Sequence, residues 1–439
     1  MLIVSVSGIR GIVNQDIDGV YAQSIGRKFG AYLKRGSLAI ATDTRTTSEV
    51  IKGALVAGLL ESGCTIFDLG FSSTPSVFKE VAMRNLEGGL VVTASHNPPE
   101  WNGIKFVVHG GRGVFEDELE AIQAIEPPDQ REGRLYPQKG MYTEMLRERV
   151  GKGSAKGVRV ALDMAGGVGS LFVPSLLSFQ GCEVHSIHDS PGIFPRIIDP
   201  TVDALNALSN QVNETKCHVG FAFDCDADRL VIVDEEGRKL SGDATLLMCL
   251  YYFLENARNR RVAVSVDTSL AAEDLVREYN GTILYSKVGE ANVVRKIIES
   301  DCGAGGEGSS GGYIEPAFVM CRDGVQASTM IVKMIKSGGS LKAITSNFKS
   351  YCQDRTKLEI DRRYAPNILT TLAETEGEVD RTDGLKIRKS DRSWVLIRSS
   401  NTENVIRVSA EAKTAERARA LIEEYSEKIR EMEERARTR

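Results

Sequence analysis

The chain has little cysteine, no long apolar run and no excess of either charge. Its eight cysteines among 439 residues include no CxxC pair, which argues against a zinc site or a disulfide framework and favours reduced thiols in a cytoplasmic protein. The longest uncharged stretch, residues 164–182, contains four glycines and a proline, so no membrane span is expected. With 55 basic and 60 acidic side chains, the composition argues against binding of nucleic acid through a basic surface and against disorder.

The N-terminal segment MLIVSVSGIRG has neither a basic region before an apolar core nor a small-residue cleavage site, so no secretory signal is expected. What the chain does have is length and glycine. A chain of 439 residues is long enough for about three domains. Its 42 glycines exceed the usual share of about 7% and occur in clusters, which indicates glycine-rich loops.

One strand–helix–strand pattern occurs three times. Residues 38–70, 159–187 and 261–289 each begin with an apolar strand that ends at an aspartate, and each turns at a glycine into a second apolar strand. These aspartates are Asp43, Asp163 and Asp267. Because a strand, a helix and a strand in this order form a right-handed βαβ unit, the sequence predicts three tandem doubly wound α/β domains.

Composition suggests where the domains meet. Residues 126–140 are rich in proline, glycine and charge, which indicates a linker or a surface excursion. A second boundary is expected near Leu250, inside a long helix that begins around Asp243. After about Tyr351 the pattern changes to short strands and a closing charged helix, which predicts a smaller α+β domain. The predicted domains are residues 1–150, 151–250, 251–352 and 353–439.

The first segment with potential chemistry is VVTASHNPP, residues 91–99, in which an apolar strand leads into a polar loop. Such a loop can display the hydroxyl of Ser95; alternatively, Ser95 or Asn97 caps the next turn. A hydrolase triad is disfavoured, because adjacent side chains in an extended segment point in opposite directions and His96 is then poorly placed as a base for Ser95.

Three carboxylates alternate in a tight loop between the apolar runs VGFAF and LVIV; they belong to Asp224, Asp226 and Asp228. Carboxylates this close repel each other unless a cation holds them, and oxygen ligands alone favour Mg²⁺ over zinc. An EF-hand is excluded, because Arg229 occupies the position that needs glycine and a strand follows. The spacing therefore predicts a Mg²⁺ site that also takes a phosphate oxygen, with a solvated acidic turn as the alternative.

Two further segments combine backbone freedom with polar side chains. In GAGGEGSSGG, residues 303–312, Glu307 could accept hydrogen bonds from two neighbouring sugar hydroxyls, and a mobile surface loop is the alternative. In RSSNTEN, residues 398–404, Arg398 precedes a strand that contributes Arg407. Two arginines with hydroxyl and amide donors on a turn make a phosphate clamp; the alternative is a polar hairpin with a fortuitous arginine.

Taken together, SGIRG, TASHNPPEWNGIKF, DCDADR, GGEGSSGG and RSSNTEN, in this order and at these spacings, resemble the motifs of the α-D-phosphohexomutase family over essentially the whole chain. The resemblance implies three α/β domains and a smaller C-terminal α+β domain around a central cleft, with one motif in each. It also implies an isomerase, an intramolecular phosphotransferase that interconverts sugar 6-phosphates and 1-phosphates through a phosphoserine enzyme and a bisphosphate intermediate. Mg²⁺ is the implied cofactor, and a sugar 1,6-bisphosphate is the implied activator.

The resemblance also implies a role for individual residues. The implied catalytic residues are Ser95, Lys105, Arg10 and His96, with the choice of acid and base left open. The implied metal ligands are Ser95, through its phosphate, and Asp224, Asp226 and Asp228. The implied substrate-binding residues are Arg229, Lys287, Glu307, Ser309, Arg398, Ser400, Asn401, Thr402 and Arg407.

Departures from the family pattern bear on the sugar. The family's sugar loop usually reads GExSGH, whereas GEGSSGG has no histidine; Asn404 stands where proline is usual, and Ser5 and Val6 replace Gly-Thr. TASHNPPEWNGIKF with KVGEANV most resembles the archaeal-type phosphoglucosamine mutase branch, so glucosamine 6-phosphate is the first choice of substrate. A broader phosphoglucomutase/phosphomannomutase is the close alternative.

A Mg²⁺-dependent serine phosphatase is a remote alternative, because hydrolysis gains nothing from a second phosphate clamp at Arg398. A non-catalytic sugar-phosphate sensor is disfavoured, since both Ser95 and the aspartate cluster are intact. The expected partner is a small-molecule sugar phosphate, with no nucleic acid and no membrane, and the chain is expected to be a monomer or a homodimer.

Overall fold

The computed structural model describes residues 2–127, 129–376, 379–399 and 404–437. Within these ranges, four sheets follow one another along the chain, each with its own helices. The predicted architecture of three α/β domains and a smaller α+β domain is confirmed. None of the helices in the described ranges is long and apolar enough to cross a membrane.

The first sheet has eight strands. They are β1 (Ile3–Ser5), β2 (Gly8–Ile12), β3 (Ser37–Thr42), β4 (Thr65–Phe71), β5 (Gly88–Val92), β6 (Trp101–Val108), β7 (Arg112–Gly113) and β8 (Arg134–Pro137). Their order is β1-β2-β6-β5-β3-β4-β8, with β7 paired to β6. The accompanying helices are α1 (Gly19–Tyr32), α2 (Ser48–Glu61), α3 (Thr74–Met83), α4 (Glu116–Ala124) and α5 (Tyr142–Val150).

The second and third sheets have four strands each. The second has β9 (Arg159–Asp163), β10 (Glu183–Ile187), β11 (Val219–Phe223) and β12 (Leu230–Val233), with helices α6 (Val173–Phe179) and α7 (Asn206–Thr215) and a 3₁₀ turn at Val168–Leu171. The third has β13 (Arg261–Ser265), β14 (Thr282–Ser286), β15 (Ala304–Glu307) and β16 (Gly312–Ile314), with helices α8 (Gly242–Asn256), α9 (Leu270–Glu278), α10 (Glu290–Glu299), α11 (Gly324–Gly338) and α12 (Leu341–Thr345) and a 3₁₀ turn at Gly308–Ser310.

The three predicted repeats share one strand order. In each, a central strand pairs in parallel with two neighbours, and the second neighbour pairs with a following antiparallel strand. The matching orders are β4-β3-β5-β6, β10-β9-β11-β12 and β14-β13-β15-β16. In the first repeat, Ile51, Leu55 and Leu59 lie one helical turn apart on α2 and are buried, which is the spacing of a helix packed on a sheet.

The fourth sheet is antiparallel throughout. Its strands are β17 (Cys352–Glu359), β18 (Val379–Asp380), β19 (Leu385–Arg388), β20 (Trp394–Ser399) and β21 (Val405–Ala412), in the order β17-β21-β20-β19-β18, with helices α13 (Ala365–Thr375) and α14 (Ala415–Arg437). This domain has a hydrophobic core of its own. The first three domains, in contrast, share one continuous buried cluster, which includes Val77, Leu162, Leu246 and Val325.

The linker expected at residues 126–140 contains a strand that the sequence prediction missed. Strand β8 extends the first sheet by parallel pairing with β4, and its four residues are exposed. Pro137 fits there because an edge strand has backbone N–H positions that need no partner. The proline and charge that suggested a linker are instead typical of a protected sheet edge.

Candidate active site

Each of the four predicted motif segments includes residues that connect two antiparallel strands. Three of these connections are the serine loop (residues 93–100, between β5 and β6), the aspartate loop (residues 224–229, between β11 and β12) and the glycine loop (residues 307–312, from the end of β15 into β16). Because the first three sheets share one strand order, these three loops occupy equivalent positions. The fourth segment connects β20 to β21, and its Ser400, Asn401 and Thr402 lie outside the described residues.

The serine and aspartate loops meet at Ser95. The Ser95 hydroxyl donates a hydrogen bond to Asp224 Oδ2 at 2.8 Å, although the two residues lie in different domains. Ser95 is fully buried and has a left-handed backbone, with φ of 53°, which is unfavourable for a residue other than glycine. Its N–H donates to Thr93 Oγ1 at 2.8 Å. The Ser95 hydroxyl therefore faces the aspartate loop.

A buried arginine that the sequence analysis did not select holds the serine loop. The guanidinium of Arg45 donates to the carbonyl oxygens of Ser95 (2.9 Å), Asn97 (2.7 Å), Pro98 (2.6 Å) and Trp101 (3.1 Å) and to Asp43 Oδ2 (3.1 Å). All five N–H groups of the guanidinium therefore have a partner. The available signal was Asp43 itself, which ends the first predicted strand two residues before Arg45.

The aspartate loop has the ligands of a cation site. One carboxylate oxygen from each of Asp224, Asp226 and Asp228 lies within 4.8 Å of the other two, and all three side chains are buried. Among the described residues, Asp226 Oδ1 and Asp228 Oδ1 have no hydrogen-bond partner. Buried carboxylate oxygens without a partner are costly unless a cation or water binds them. These residues fit Mg²⁺, which prefers oxygen ligands.

Lys105 neutralises the opposite side of this cluster. Its Nζ donates to Asp226 Oδ2 at 2.6 Å and to Asp228 Oδ2 at 2.8 Å. Burial alone would lower the pKa of Lys105, but the two carboxylates outweigh burial and raise the pKa above its ordinary value. Burial, with Asp228 and Asp226 adding to it, raises the pKa of Asp224 well above its ordinary value. Lys105 is therefore a protonated donor at the aspartate loop.

Three further predicted residues, Arg10, His96 and Arg229, lie in or beside the serine and aspartate loops. Arg10 Nη1 donates to Asn97 Oδ1 at 3.0 Å, and burial lowers the pKa of Arg10 to about 10. His96 Nδ1 lies 3.5 Å from Ser95 Oγ, too far for a strong hydrogen bond. Burial, reinforced by Arg229 and Arg10, lowers the pKa of His96 to about 2, so its imidazole is a poor base. Arg229 pairs with Asp199 at 2.9 Å.

Glu307 lies at the end of β15, in the glycine loop, and is buried. Its Oε1 accepts the Gly289 N–H at 2.7 Å, and its Oε2 accepts Arg322 Nη1 at 3.3 Å. Ser309 is half-buried in the adjoining 3₁₀ turn, and Lys287 is exposed just beyond β14. The sequence analysis did not select Arg322; the available signal was a charged pair, Arg322-Asp323, between apolar segments.

The two predicted phosphate-binding arginines lie on neighbouring strands. Arg398 in β20 and Arg407 in β21 are directly opposite each other in the antiparallel register. Side chains at opposite positions of this kind share one face of the sheet and lie close together. Arg398 Nε also lies 2.8 Å from Asp383 Oδ2, which accepts the Val288 N–H of the third domain at 3.0 Å.

Comparisons with known proteins agree with this geometry. Four domain families described as phosphoglucomutase/phosphomannomutase match in succession: alpha/beta/alpha domain I at residues 1–129, domain II at 140–237, domain III at 241–351 and the C-terminal domain at 352–428. A probable phosphoglucosamine mutase of Methanopyrus kandleri is 34% identical, with 98% of each chain covered. A phosphoglucomutase/phosphomannomutase of Thermococcus kodakarensis is 35% identical, with 95% of this chain and 96% of that one covered.

Among solved structures, a phosphoglucomutase/phosphomannomutase family protein of Burkholderia thailandensis superposes with a TM-score of 0.86. It covers 98% of both chains at 24% identity, so it supports the fold.

We expect Arg45→Lys to make the serine loop more mobile. The lysine ammonium has only three donors and cannot hydrogen-bond to all four carbonyl oxygens at once. Hydrogen bonds to charged groups contribute about 1.5–3 kcal/mol, so amide hydrogen exchange at residues 93–101 should be at least about tenfold faster. Hydrogen exchange read by mass spectrometry measures this. The control is Lys52→Gln, which removes an ion pair with Asp68 in the same domain. Unchanged exchange in Arg45→Lys would contradict the role given to Arg45.

We expect cation binding at the aspartate loop to strengthen as the pH rises. Burial, with Asp228 and Asp226 adding to it, raises the pKa of Asp224, so protons compete with a cation for this carboxylate more strongly than they would for an exposed one. Mn²⁺ affinity, followed by electron paramagnetic resonance of the free ion, should be higher at about pH 8 than at about pH 6, with proton release on binding. Asp224→Asn should bind more weakly and lose this pH dependence; equal wild-type affinity at both pH values would refute the assignment.

Proposed function

The chain belongs to the phosphoglucomutase/phosphomannomutase family, and on that premise we propose that it is a phosphohexomutase that uses Ser95 as its phosphoserine. The observation that carries this proposal is the contact between the Ser95 hydroxyl and Asp224, in a cluster whose Asp226 and Asp228 each keep one buried oxygen without a partner among the described residues. A phosphoryl group on Ser95 would lie beside the cation that these carboxylates fit. The domain boundaries at residues 150, 250 and 352 remain part of the proposal.

In the first half of the reaction, the bond between phosphorus and Ser95 Oγ breaks while a free hydroxyl of the sugar monophosphate forms a new bond to phosphorus. The hydroxyl proton passes to a base in the cleft, and Ser95 Oγ regains a proton. The bisphosphate then turns within the cleft, and its other phosphate returns to Ser95. A sugar 6-phosphate thus becomes the 1-phosphate, or the reverse, and a sugar 1,6-bisphosphate phosphorylates Ser95 when it is free.

Catalysis of this kind depends mainly on positioning and electrostatics. Mg²⁺ held by Asp224, Asp226 and Asp228 would neutralise charge on the phosphoryl oxygens. Lys105, with its raised pKa, keeps a proton at Nζ and stabilises negative charge from the other side. Arg10, on Asn97 of the serine loop, contributes a second positive charge.

The substrate-binding residues complete the proposal. Glu307 and Ser309 hold sugar hydroxyls, Lys287 and Arg229 line the cleft, and Arg398, Ser400, Asn401, Thr402 and Arg407 grip the phosphate that is not transferred. The opposed arginines in β20 and β21 support this assignment, because paired guanidinium groups suit a phosphate. The phosphate clamp must accept either end of the bisphosphate, so it recognises phosphate and leaves discrimination between sugars to the glycine loop.

Glucosamine 6-phosphate is the first choice of substrate, supported by the similarity to the probable phosphoglucosamine mutase of Methanopyrus kandleri. The Thermococcus kodakarensis relative is named for glucose and mannose phosphates, which supports broader hexose specificity as the alternative. We place the enzyme in the cytoplasm, as a monomer or a homodimer that acts on a small-molecule sugar phosphate.

The test is incubation with Mg²⁺, a trace of the matching sugar bisphosphate and, separately, glucosamine, glucose and mannose 6-phosphates, with phosphorus NMR of the products. We expect conversion to 1-phosphates and at least about a 10⁴-fold loss in Ser95→Ala, because the phosphoryl group then has no acceptor on the enzyme. The matched control is Ser170→Ala, which removes a hydroxyl hydrogen-bonded to Gly167 in the second domain.

The pattern of products distinguishes the alternatives. Conversion of glucosamine phosphate alone supports the first choice of substrate, and comparable conversion of glucose or mannose phosphate supports the broader enzyme. Inorganic phosphate without an isomer would indicate a phosphatase. Full turnover in Ser95→Ala would refute the phosphoserine mechanism.

A further inference from the structure

We propose that Arg322 is a positioning residue that joins the aspartate loop to the glycine loop and sets the discrimination between sugars. This inference rests on the proposed function. Arg322 is buried just before α11, and it lines a cavity together with Arg10, Lys105 and Glu290. The cavity therefore brings Arg322 beside residues proposed to act on the transferred phosphoryl group.

The guanidinium of Arg322 contacts both loops at once. Its Nη2 donates to Asp228 Oδ2 at 3.1 Å in the aspartate loop. Its Nη1 donates to Glu307 Oε2 at 3.3 Å and to Ser310 Oγ at 3.1 Å in the glycine loop. Its Nε donates to Glu290 Oε2 at 3.0 Å, at the start of α10. One side chain thus fixes the distance between a proposed metal ligand and the proposed acceptor for sugar hydroxyls.

Gly312 provides the space that this arrangement needs. A Cβ atom at residue 312 would lie 2.2 Å from Cδ and 2.7 Å from Cγ of Arg322, closer than any real contact. Any side chain at position 312 would therefore displace the stem of Arg322 while leaving its charge in the protein. Gly312 lies in β16, where the backbone is extended, so the absence of a side chain is what matters at this position.

The contacts of Glu307 explain why its position affects specificity. Gly289 N–H holds Oε1 and Arg322 holds Oε2, so the carboxylate has one orientation in which to accept sugar hydroxyls. A site built around fixed hydrogen-bonding groups rejects a substrate whose hydroxyl is misplaced, because the buried group is then left unpaired. If Arg322 moves, Glu307 can rotate and accept hydroxyls from other directions.

Arg322 could instead serve only to neutralise the carboxylates of Asp228, Glu290 and Glu307. That role would make the variants less stable without changing the ratio of activities on different sugars. The test therefore measures kcat and KM for glucosamine, glucose and mannose 6-phosphates, together with the melting temperature, in Arg322→Lys, Gly312→Ala, Glu307→Gln and the double variant Arg322→Lys/Glu307→Gln.

We expect Arg322→Lys to raise KM for the preferred sugar and to reduce its kcat/KM advantage over the next sugar by about tenfold, since lysine cannot span both loops. Gly312→Ala should give the same loss of discrimination, because it displaces Arg322 without removing it. This variant tests the inference if Arg322→Lys does not fold. The double variant should discriminate between sugars as well as Glu307→Gln alone does, because both substitutions remove the same interaction, that between Arg322 and Glu307. Arg149→Gln, which removes an ion pair with Glu315 between α5 and the third domain, should leave the ratio unchanged.

Two results would overturn the inference: additive effects of Arg322→Lys and Glu307→Gln, or a lower melting temperature with an unchanged ratio of kcat/KM between sugars. In either case, conversion by the wild-type protein would still support the proposed function. No conversion of any sugar phosphate by the wild-type protein would overturn the proposed function and this inference with it.

Discussion

Three buried carboxylates on one short turn are the constraint on which the cleft depends. Asp224, Asp226 and Asp228 cannot all remain charged without nearby cations, and the one cation of the aspartate loop itself, Arg229, is shared between Asp199 at 2.9 Å and Asp224 at 4.0 Å. The first domain supplies Lys105 and the third supplies Arg322, both in direct contact with Asp228. Neutralising one loop therefore requires three domains to meet at it, and their shared core keeps them there.

The serine loop is likewise held by a residue from elsewhere in the chain. Ser95 lies in the loop, and Arg45, which binds the loop, comes from another part of the same domain. Ser95 has a strained backbone, and strain of this kind costs about 1–3 kcal/mol and persists only where the surroundings enforce it. The five hydrogen bonds of Arg45 enforce it through the carbonyl oxygens of the loop and through Asp43. Phosphoryl transfer, the reaction proposed for this site, depends mainly on positioning, and a serine hydroxyl held in one place suits it.

The parts of the site that local sequence predicts are those that end strands. Apolar runs bound the loops that carry Ser95, Asp224 and Glu307, and each loop lies where the pattern places it. Arg45 and Arg322 could not be selected in this way, because the contacts that tie them to the other loops, with Ser95 and Asp228, span 50 and 94 residues along the chain. Strand β8 was missed for a related reason, since an exposed edge strand has no apolar alternation.

The fourth domain has its own core, and it docks on the third through a small apolar cluster, formed by Val266, Leu270, Trp394 and Leu396, together with polar contacts. Lys386 donates to the carbonyl oxygen of Val266, just after β13, and Glu411 accepts the N–H of Leu270 at the start of α9. The positive charge of Lys386 is attracted to the negative end of a carbonyl dipole, and the negative charge of Glu411 is attracted to the positive end of a helix dipole. Because buried charges tolerate few alternative partners, this docking holds the opposed strands of Arg398 and Arg407 in one position relative to the third domain. In the proposed reaction these arginines grip either end of a bisphosphate, and a fixed distance from them to Ser95 would select the end that reacts.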